Sequence, residues 1–492
     1  MGVVIRQSIW NSVVSYIGIV IGAVNTLFLF TNFLTAEEFG LTRVLLVMAT
    51  LANQIFSLGI VNVTLKFFPF VKSDALKHNG FLSFILTVPL VGYFLFVLLA
   101  LLFDRPIIDF YTDNSTLFGD YYSQVFVLTF LIIYFNVFDG YLRSNKKSVF
   151  PVFLKNVFLR LLWTVGIVLF YLKWIDFETF VLWYVWSHGL VLLMEVIYTQ
   201  LIGQLHFKRF DISAFPRNEM MSFGGYAILG ASMSYMANYL DVLMVGGITE
   251  NGLADAAIYS VAVYIGSLIT VPYNSVIRIG TSFIADAWKK NDLAQIQELY
   301  KRSSSNLLFF GVLIFLGIWL NIDNIFKILP EKYEGGKYVV LLVGLAKLVD
   351  ASTSLNGIIM QYSKYFKTLL MFNGAFVVLI VISNWIFIPI YGLEGAAMAT
   401  LISLLSTNLL KSWFLYAKFK LVPFDKRVVW IAMLGIGLWI ANIFTPNLDN
   451  HILDSIIRSI LITLIYLTIA YKMKLSDELN RIVQKRLLKS KS

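Results

Sequence analysis

FLSFILTVPLVGYFLFVLLALLF, residues 81–103, runs 23 residues without one charged side chain. As an α-helix it would be about 35 Å long, enough to cross the roughly 30 Å hydrocarbon core of a bilayer. A barrel strand would instead alternate polar and apolar over about ten residues. The run stops at Asp104, and DRPIIDFYTDNSTLFGD, residues 104–120, is polar and acidic. A charge-free helix bounded in this way is a membrane span.

Working outward, apolar stretches of similar length recur from Ile9 to Tyr471. They fall at about 9–34, 40–62, 81–103, 121–142, 150–172, 179–202, 221–247, 256–280, 304–322, 338–360, 368–390, 395–416, 428–445 and 456–471. The expected fold is an all-α integral membrane protein of about 14 transmembrane helices. The chain is 58% hydrophobic and 14% charged, against about 25% charged in soluble domains. Its 492 residues would make roughly three soluble domains, but no polar linker separates such units.

Charge gives the orientation. The N-terminus, the loops after even-numbered spans with their flanking turns, and the C-terminal tail carry 29 Lys and Arg against 9 Asp and Glu. The opposite side carries 6 against 16. A missed span would invert this asymmetry from that point onward. By the positive-inside rule the basic side, with Lys146, Lys147, Lys208, Arg209, Lys289 and Lys290, is cytoplasmic, and so are both termini. The net charge of +10 is thereby placed in membrane loops rather than in a nucleic-acid surface. The first apolar run, to Leu34, is too long for a signal-peptide core and reads as an uncleaved span. There are no cysteines, hence no disulfide or thiolate metal site.

The two halves are alike. FLTAEEFGLTRVLLVMATL (residues 33–51) has a counterpart in ITENGLADAAIYSVAVYIG (residues 248–266). The expected organisation is a six-helix lobe over 1–210, a second over 215–420, two further spans over 421–472, and a basic tail over 473–492. Duplicated halves meeting at a midplane site are a common transporter plan. ADAWKKNDLAQIQELYKRSS (residues 285–304) reads as an amphipathic helix on the inner membrane surface, as does the tail with Leu479, Ile482, Val483 and Leu487.

The stretch FLTAEEFGLTRVLLVMATLANQIFSLGIVNVTLKFFP (residues 33–69) resembles the opening of the Wzx-like polysaccharide-biosynthesis flippases, within the MOP exporter superfamily that also holds the MATE transporters. Leu34, Thr35, Glu37, Glu38, Phe39, Gly40, Leu58, Gly59, Phe68 and Pro69 carry the match. YLDVLMVGGI (residues 239–248) resembles the family's seventh span, with Asp241 kept but Val242 where an Arg is common. IYGLEGAAMATLIS (residues 390–403) is similar to the start of its twelfth span. DLAQIQELYKRSS and LPEKYEGG also fit, so the likeness covers about residues 10–420. It implies a two-lobed transporter moving lipid-linked oligosaccharide across a bacterial plasma membrane by alternating access. Its partners would be that substrate, membrane lipids, a coupling H+ or Na+, and polysaccharide-assembly proteins. No cofactor is implied.

With Lys155, Lys411 and Arg458 counted to the flanking turns, eight ionisable residues remain within the spans: Arg43, Arg160, Arg278, Lys347, Asp139, Glu195, Asp241 and Asp350. Each Arg, Lys or Asp at a helix centre costs about 2.5–3.5 kcal/mol on insertion scales. Arg43 and Arg278 lie near span ends and can snorkel; Asp139 can pair with Arg143 one turn on. Lys347 and Asp350, three residues apart, either neutralise each other or serve a cavity. Arg160 has no carboxylate on its own helix. It either faces a wet central cavity with Lys347, holding a substrate pyrophosphate through its planar fork, or bonds another helix's acid such as Glu195. The candidate substrate residues are thus Arg160, Lys347, Arg43 and Arg278. Glu195 and His188 are two turns apart on one helix face, with Tyr184 a turn beyond, and suit either proton coupling or an interhelical bond. Asp241 either coordinates a cation or bonds the first span near Asn25. The ion-coupling candidates are therefore Glu195, Asp241, Asp350 and His188.

KYEGGK (residues 332–337) lacks P-loop spacing, and the four histidines show no ligand spacing. A cation-coupled multidrug antiporter of the same fold is the alternative, and would favour an acidic, aromatic cavity. A membrane polymerase or ligase is disfavoured, because the longest outer loop has only 17 residues.

Overall fold

The computed structural model describes residues 2–73, 77–112, 115–210, 216–445 and 448–481. Among the described residues it is helical, with no strand. The chain packs as two compact units, Met1–Ala257 and Ile258–Ser492.

In the first unit, α1 (Gly2–Ala23) passes into a π-helical segment, Val24–Leu29, and a last turn, Phe30–Phe33. Then come α2 (Ala36–Phe56), α3 (Ile60–Val71) and α4 (Phe81–Leu102). The short α5 (Asp104–Thr112) and α6 (Leu117–Tyr121) lead to α7 (Ser123–Ser144). Helix α8 opens at Val149–Phe153, loosens into a second π segment, Leu154–Phe158, and resumes over Leu159–Tyr171. It is followed by α9 (Phe177–Leu201) and α10 (Arg217–Ile248). One core gathers around Phe68, Phe81 and Tyr141, all fully buried, with Phe68 edge-on to Tyr141 at 5.1 Å.

The residues of the 33–69 motif act within this packing. Thr35 caps α2: its Oγ1 accepts from the Glu38 N–H at 3.2 Å, and the Glu38 carboxylate accepts from the Thr35 N–H at 2.8 Å. Glu37 accepts from the Ser115 hydroxyl. Gly40 is pressed against the carbonyl of Leu253, 1.7 Å from where a Cβ would stand. Leu58 and Gly59 take left-handed φ of 53° and 67°, which ends α2 and starts α3 in a new direction.

Helix α11 (Leu253–Ser267) has its first turn in unit 1 and the rest in unit 2. Unit 2 continues with α12 (Val271–Lys289), α13 (Leu293–Trp319), α14 (Ile322–Ile328), α15 (Lys337–Thr353) and α16 (Asn356–Tyr362). It ends with α17 (Phe366–Phe419), α18 (Lys426–Asn442) and α19 (His451–Lys472). Helix α18 packs against α13, and α19 against α13 and α14.

At 54 residues, α17 would be about 81 Å long if straight, far beyond any bilayer. It is not straight. Gly392 has φ 56° and ψ −130°, and a Cβ on Gly395 would lie 2.1 Å from the Phe387 carbonyl oxygen. Residues eight apart in a continuous helix stand about 12 Å apart, so the chain reverses here. The two glycines of IYGLEGAA make that reversal possible.

Among the described residues, eleven helices are long and apolar enough to cross a membrane, or twelve if the bent pair Glu331–Thr353 and Asn356–Tyr362 is one span. The difference from fourteen lies in α17, whose two legs on either side of Gly392 count once, and in α18, which has 17 residues. The packing boundary at 257/258 also differs from the expected lobe boundary at 210/215, because α10 lies against α2 and α3 of unit 1.

The amphipathic segment 285–304 is not a surface helix. It is the end of α12 and the start of α13, joined by a turn in which Asn291 has φ 53° and Asp292 caps the Gln295 N–H at 2.9 Å. Its apolar face, with Ile296 and Tyr300 fully buried, packs on Leu355, Ile359 and Leu415 of the protein rather than on lipid. Ile482, Val483 and Leu487 of the tail lie outside the described residues.

Candidate functional site

One polar constellation in unit 1 is built on α1. Gly18 and Gly22 put two small residues one turn apart, which lets a neighbouring helix approach closely. The neighbour is α8: a Cβ on Gly18 would stand 2.5 Å from the Asn156 carbonyl oxygen, and one on Gly22 would stand 2.1 Å from Nη1 of Arg160. The π segment of each helix lies against the other. Such segments loosen the regular bonding ladder and recur at functional sites.

Polar side chains fill the seam. The Asn25 amide donates to the Arg160 carbonyl at 2.8 Å and accepts from the Thr164 hydroxyl at 2.8 Å. The Arg160 guanidinium donates to the Gly18 carbonyl. From α2, Arg43 donates to the Thr26 hydroxyl at 3.1 Å, with its guanidinium carbon 4.7 Å from the Phe39 ring centroid. Asn25 and Thr26 are buried, while both arginines are half-buried. Two guanidinium groups thus contact the first helix, at Gly18 and at Thr26, about two turns apart. Thr26 and the Gly18 carbonyl are among the oxygens that accept from these two groups.

A second cluster lies between α7, α8 and α9. Arg143 pairs with Asp139 at 2.9 Å, as their i,i+4 spacing predicts. Lys155, in the π segment of α8, and Glu195 of α9 are within electrostatic range of that pair. The Lys155 ammonium lies 6.0 Å from the Phe135 ring centroid. Glu195 is fully buried, and neither carboxyl oxygen has a hydrogen-bond partner.

The third cluster, in unit 2, surrounds a broken helix. Helices α15 and α16 meet at 45° through Ser354, whose φ is 31°. Asp350 accepts from the Asn408 amide at 3.3 Å, and Asn408 in turn accepts from Asn356 at 2.8 Å. Lys411 and Tyr273 lie within electrostatic range of Asp350.

The structure places both Arg43 and Arg160 against the first helix, at Thr26 and at Gly18. The anticipated Arg160–Glu195 bond is not formed, since the Glu195 oxygens are unpartnered. Lys347 is half-buried on α15, and among the described residues no ion pair joins it to Asp350, which bonds Asn408 instead. The Arg278 side chain lies outside the described residues. His188 is buried, its Nδ1 3.3 Å from the Tyr184 carbonyl and its ring against Trp163, apart from any bond to Glu195. Asp241 is buried on α10 with an interaction of its own, while the Asn25 amide serves α8.

Lys155, Lys411 and Arg458 fall within helices although the loop count assigns them to flanking turns. Arg458 is buried, pairs with Asp454 at 3.1 Å, and joins Asn442 and Thr445 through its other nitrogens. For Arg458 the i,i+4 acid is a legible signal; for Lys155 the only sign is its place five residues past the start of the apolar run.

No family model matches the chain, and no curated protein matches it by sequence. Solved structures do match. Lipid II flippase MurJ in an inward closed conformation superposes with a TM-score of 0.76 at 16% identity, covering 96% of this chain and 100% of that one. An inward-facing multidrug-resistance MATE transporter of the MOP superfamily gives 0.57 at 15% identity, with 87% and 99% covered. A MOP superfamily transporter from Pyrococcus furiosus, whose binding pocket is described as reversed in polarity, gives 0.54 at 12% identity, with 85% and 95% covered. At such identities the finding is a shared fold: this chain has the architecture of MOP superfamily transporters.

Proposed function

We propose that the protein is a transporter that moves a polyprenyl-pyrophosphate-linked oligosaccharide across a bacterial plasma membrane by alternating access, as a Wzx-like member of the MOP superfamily. The observation that carries this reading is that two half-buried arginines lie against the first helix, Arg160 donating to the Gly18 carbonyl and Arg43 to the Thr26 hydroxyl. A guanidinium suits an anionic headgroup, because it presents the planar fork that a pyrophosphate accepts bidentately. The fold shared with a lipid II flippase supports the same substrate class. A cationic drug, the cargo of the multidrug reading, would be repelled at this seam.

Binding tests it directly. Polyprenyl pyrophosphate should bind the purified protein in a salt-sensitive way, and Arg43→Gln and Arg160→Gln should each weaken binding about tenfold or more. Unchanged binding in the double variant would remove the seam from substrate recognition.

A further inference from the structure

We infer that Glu195 is a proton-binding site, with Lys155 as the mobile counter-charge that permits its ionisation. The inference does not depend on the identity of the substrate. A fully buried carboxyl with no hydrogen bond to either oxygen is tolerated far better as the neutral acid than as the anion, because the isolated anion has lost its hydration with nothing in exchange. It nonetheless sits among charges.

From α7, Asp139 and Arg143 face it, already paired with each other at 2.9 Å. From the π segment of α8, Lys155 is the near cation. The next charged group along α8, Arg160, turns away to the Gly18 carbonyl. On α9 itself the other titratable side chains of this face are His188 and Tyr184, packed on Trp163 two and three turns away.

In this conformation Arg143 serves Asp139, so Lys155 is the cation free to answer a charge on Glu195. When the Glu195 O–H bond breaks, its proton leaves to solvent water as hydronium and a carboxylate remains. The Lys155 ammonium, on the π segment beside α9, then pairs with it. Protonation reverses both movements.

Lys155 is placed to transmit this change. It lies in the π segment Leu154–Phe158, whose next residue, Asn156, donates to Ser15 at 3.3 Å and stacks its carbonyl on Gly18. Arg160 follows one turn later. A shift of Lys155 toward α9 therefore moves the element that holds α8 on α1, and proton occupancy at Glu195 biases the arginine seam.

The test uses the full-length protein in nanodiscs and needs no substrate. Difference infrared spectra should show the C=O stretch of a buried protonated carboxylic acid at neutral pH, which Glu195→Gln abolishes while the protein stays folded. In Lys155→Gln the same band should persist to a pH higher by about one unit, because the ion that stabilises the carboxylate is gone. An unchanged spectrum in Glu195→Gln overturns the site. A band that titrates identically in wild type and Lys155→Gln overturns the role of Lys155. Should Glu195→Gln fail to fold, titration of the band in Lys155→Gln decides alone.

Discussion

Nη1 of Arg160 stands 2.1 Å from where the Cβ of any residue but glycine at position 22 would be. Gly22 is thus the space into which the guanidinium fits, and a cation on one helix is positioned by a missing side chain on another. The contact is with the far end of a flexible side chain, so the arginine can move aside. Gly22→Ala is expected to fold and insert at wild-type levels, with transport reduced several-fold because Arg160 is displaced. Membrane abundance measured beside export separates the two effects.

Gly40 gives the opposite expectation. Its Cβ would meet the Leu253 backbone carbonyl at 1.7 Å, and backbone cannot swing away. Gly40→Ala should destabilise the protein by about 1–3 kcal/mol, a typical overpacking cost. Gly225→Ala, with no atom within 4 Å of the new Cβ, should be neutral or slightly stabilising. Thermal unfolding in detergent compares them.

The buried pair Arg458–Asp454 ties α19 to α14 through the Asn324 amide, which donates to Asp454 at 2.6 Å. Removing one partner leaves an uncompensated buried charge. Asp454→Ala should therefore cost about 3–5 kcal/mol. Replacing both residues together should cost less than the sum of the single changes, which a double-mutant cycle reads.

At the basic end of unit 2, Arg427 donates to Asp477 at 2.8 Å. This hydrogen bond holds the Asp477 carboxyl below its usual range. A depressed folded-state pKa contributes stability that is present above the unfolded value and lost as pH falls through the folded one. Wild type should be modestly more stable than Asp477→Asn at neutral pH, and the two should converge in acid. Both side chains are 41% exposed, so the difference should shrink with added salt.

How much of this was legible in the sequence follows from the kind of interaction. Apolar runs marked the helices, since bilayer crossing needs little beyond length and hydropathy. The glycines of IYGLEGAA were visible as a motif, and the hairpin in α17 gives their reason. Arg160 stands out in the sequence for lacking a carboxylate on its own helix, but one of its partners, the Gly18 carbonyl, is backbone and has no sequence signature. The segment 285–304 was misread because an amphipathic face packed on Leu355 and Leu415 has the same periodicity as one packed on lipid. Lys155 was hidden because a basic residue near a span's inner end also obeys the positive-inside rule.

The most direct test of the account is export of the surface polysaccharide in cells carrying Arg160→Ala, with lipid-linked precursor measured in the inner leaflet. The account predicts a normally folded and inserted protein, loss of export, and accumulation of inner-leaflet precursor. Arg160→Lys should restore export only in part, because it keeps the charge without the planar fork. A well-folded Arg160→Ala protein with normal export and no accumulated precursor would contradict it.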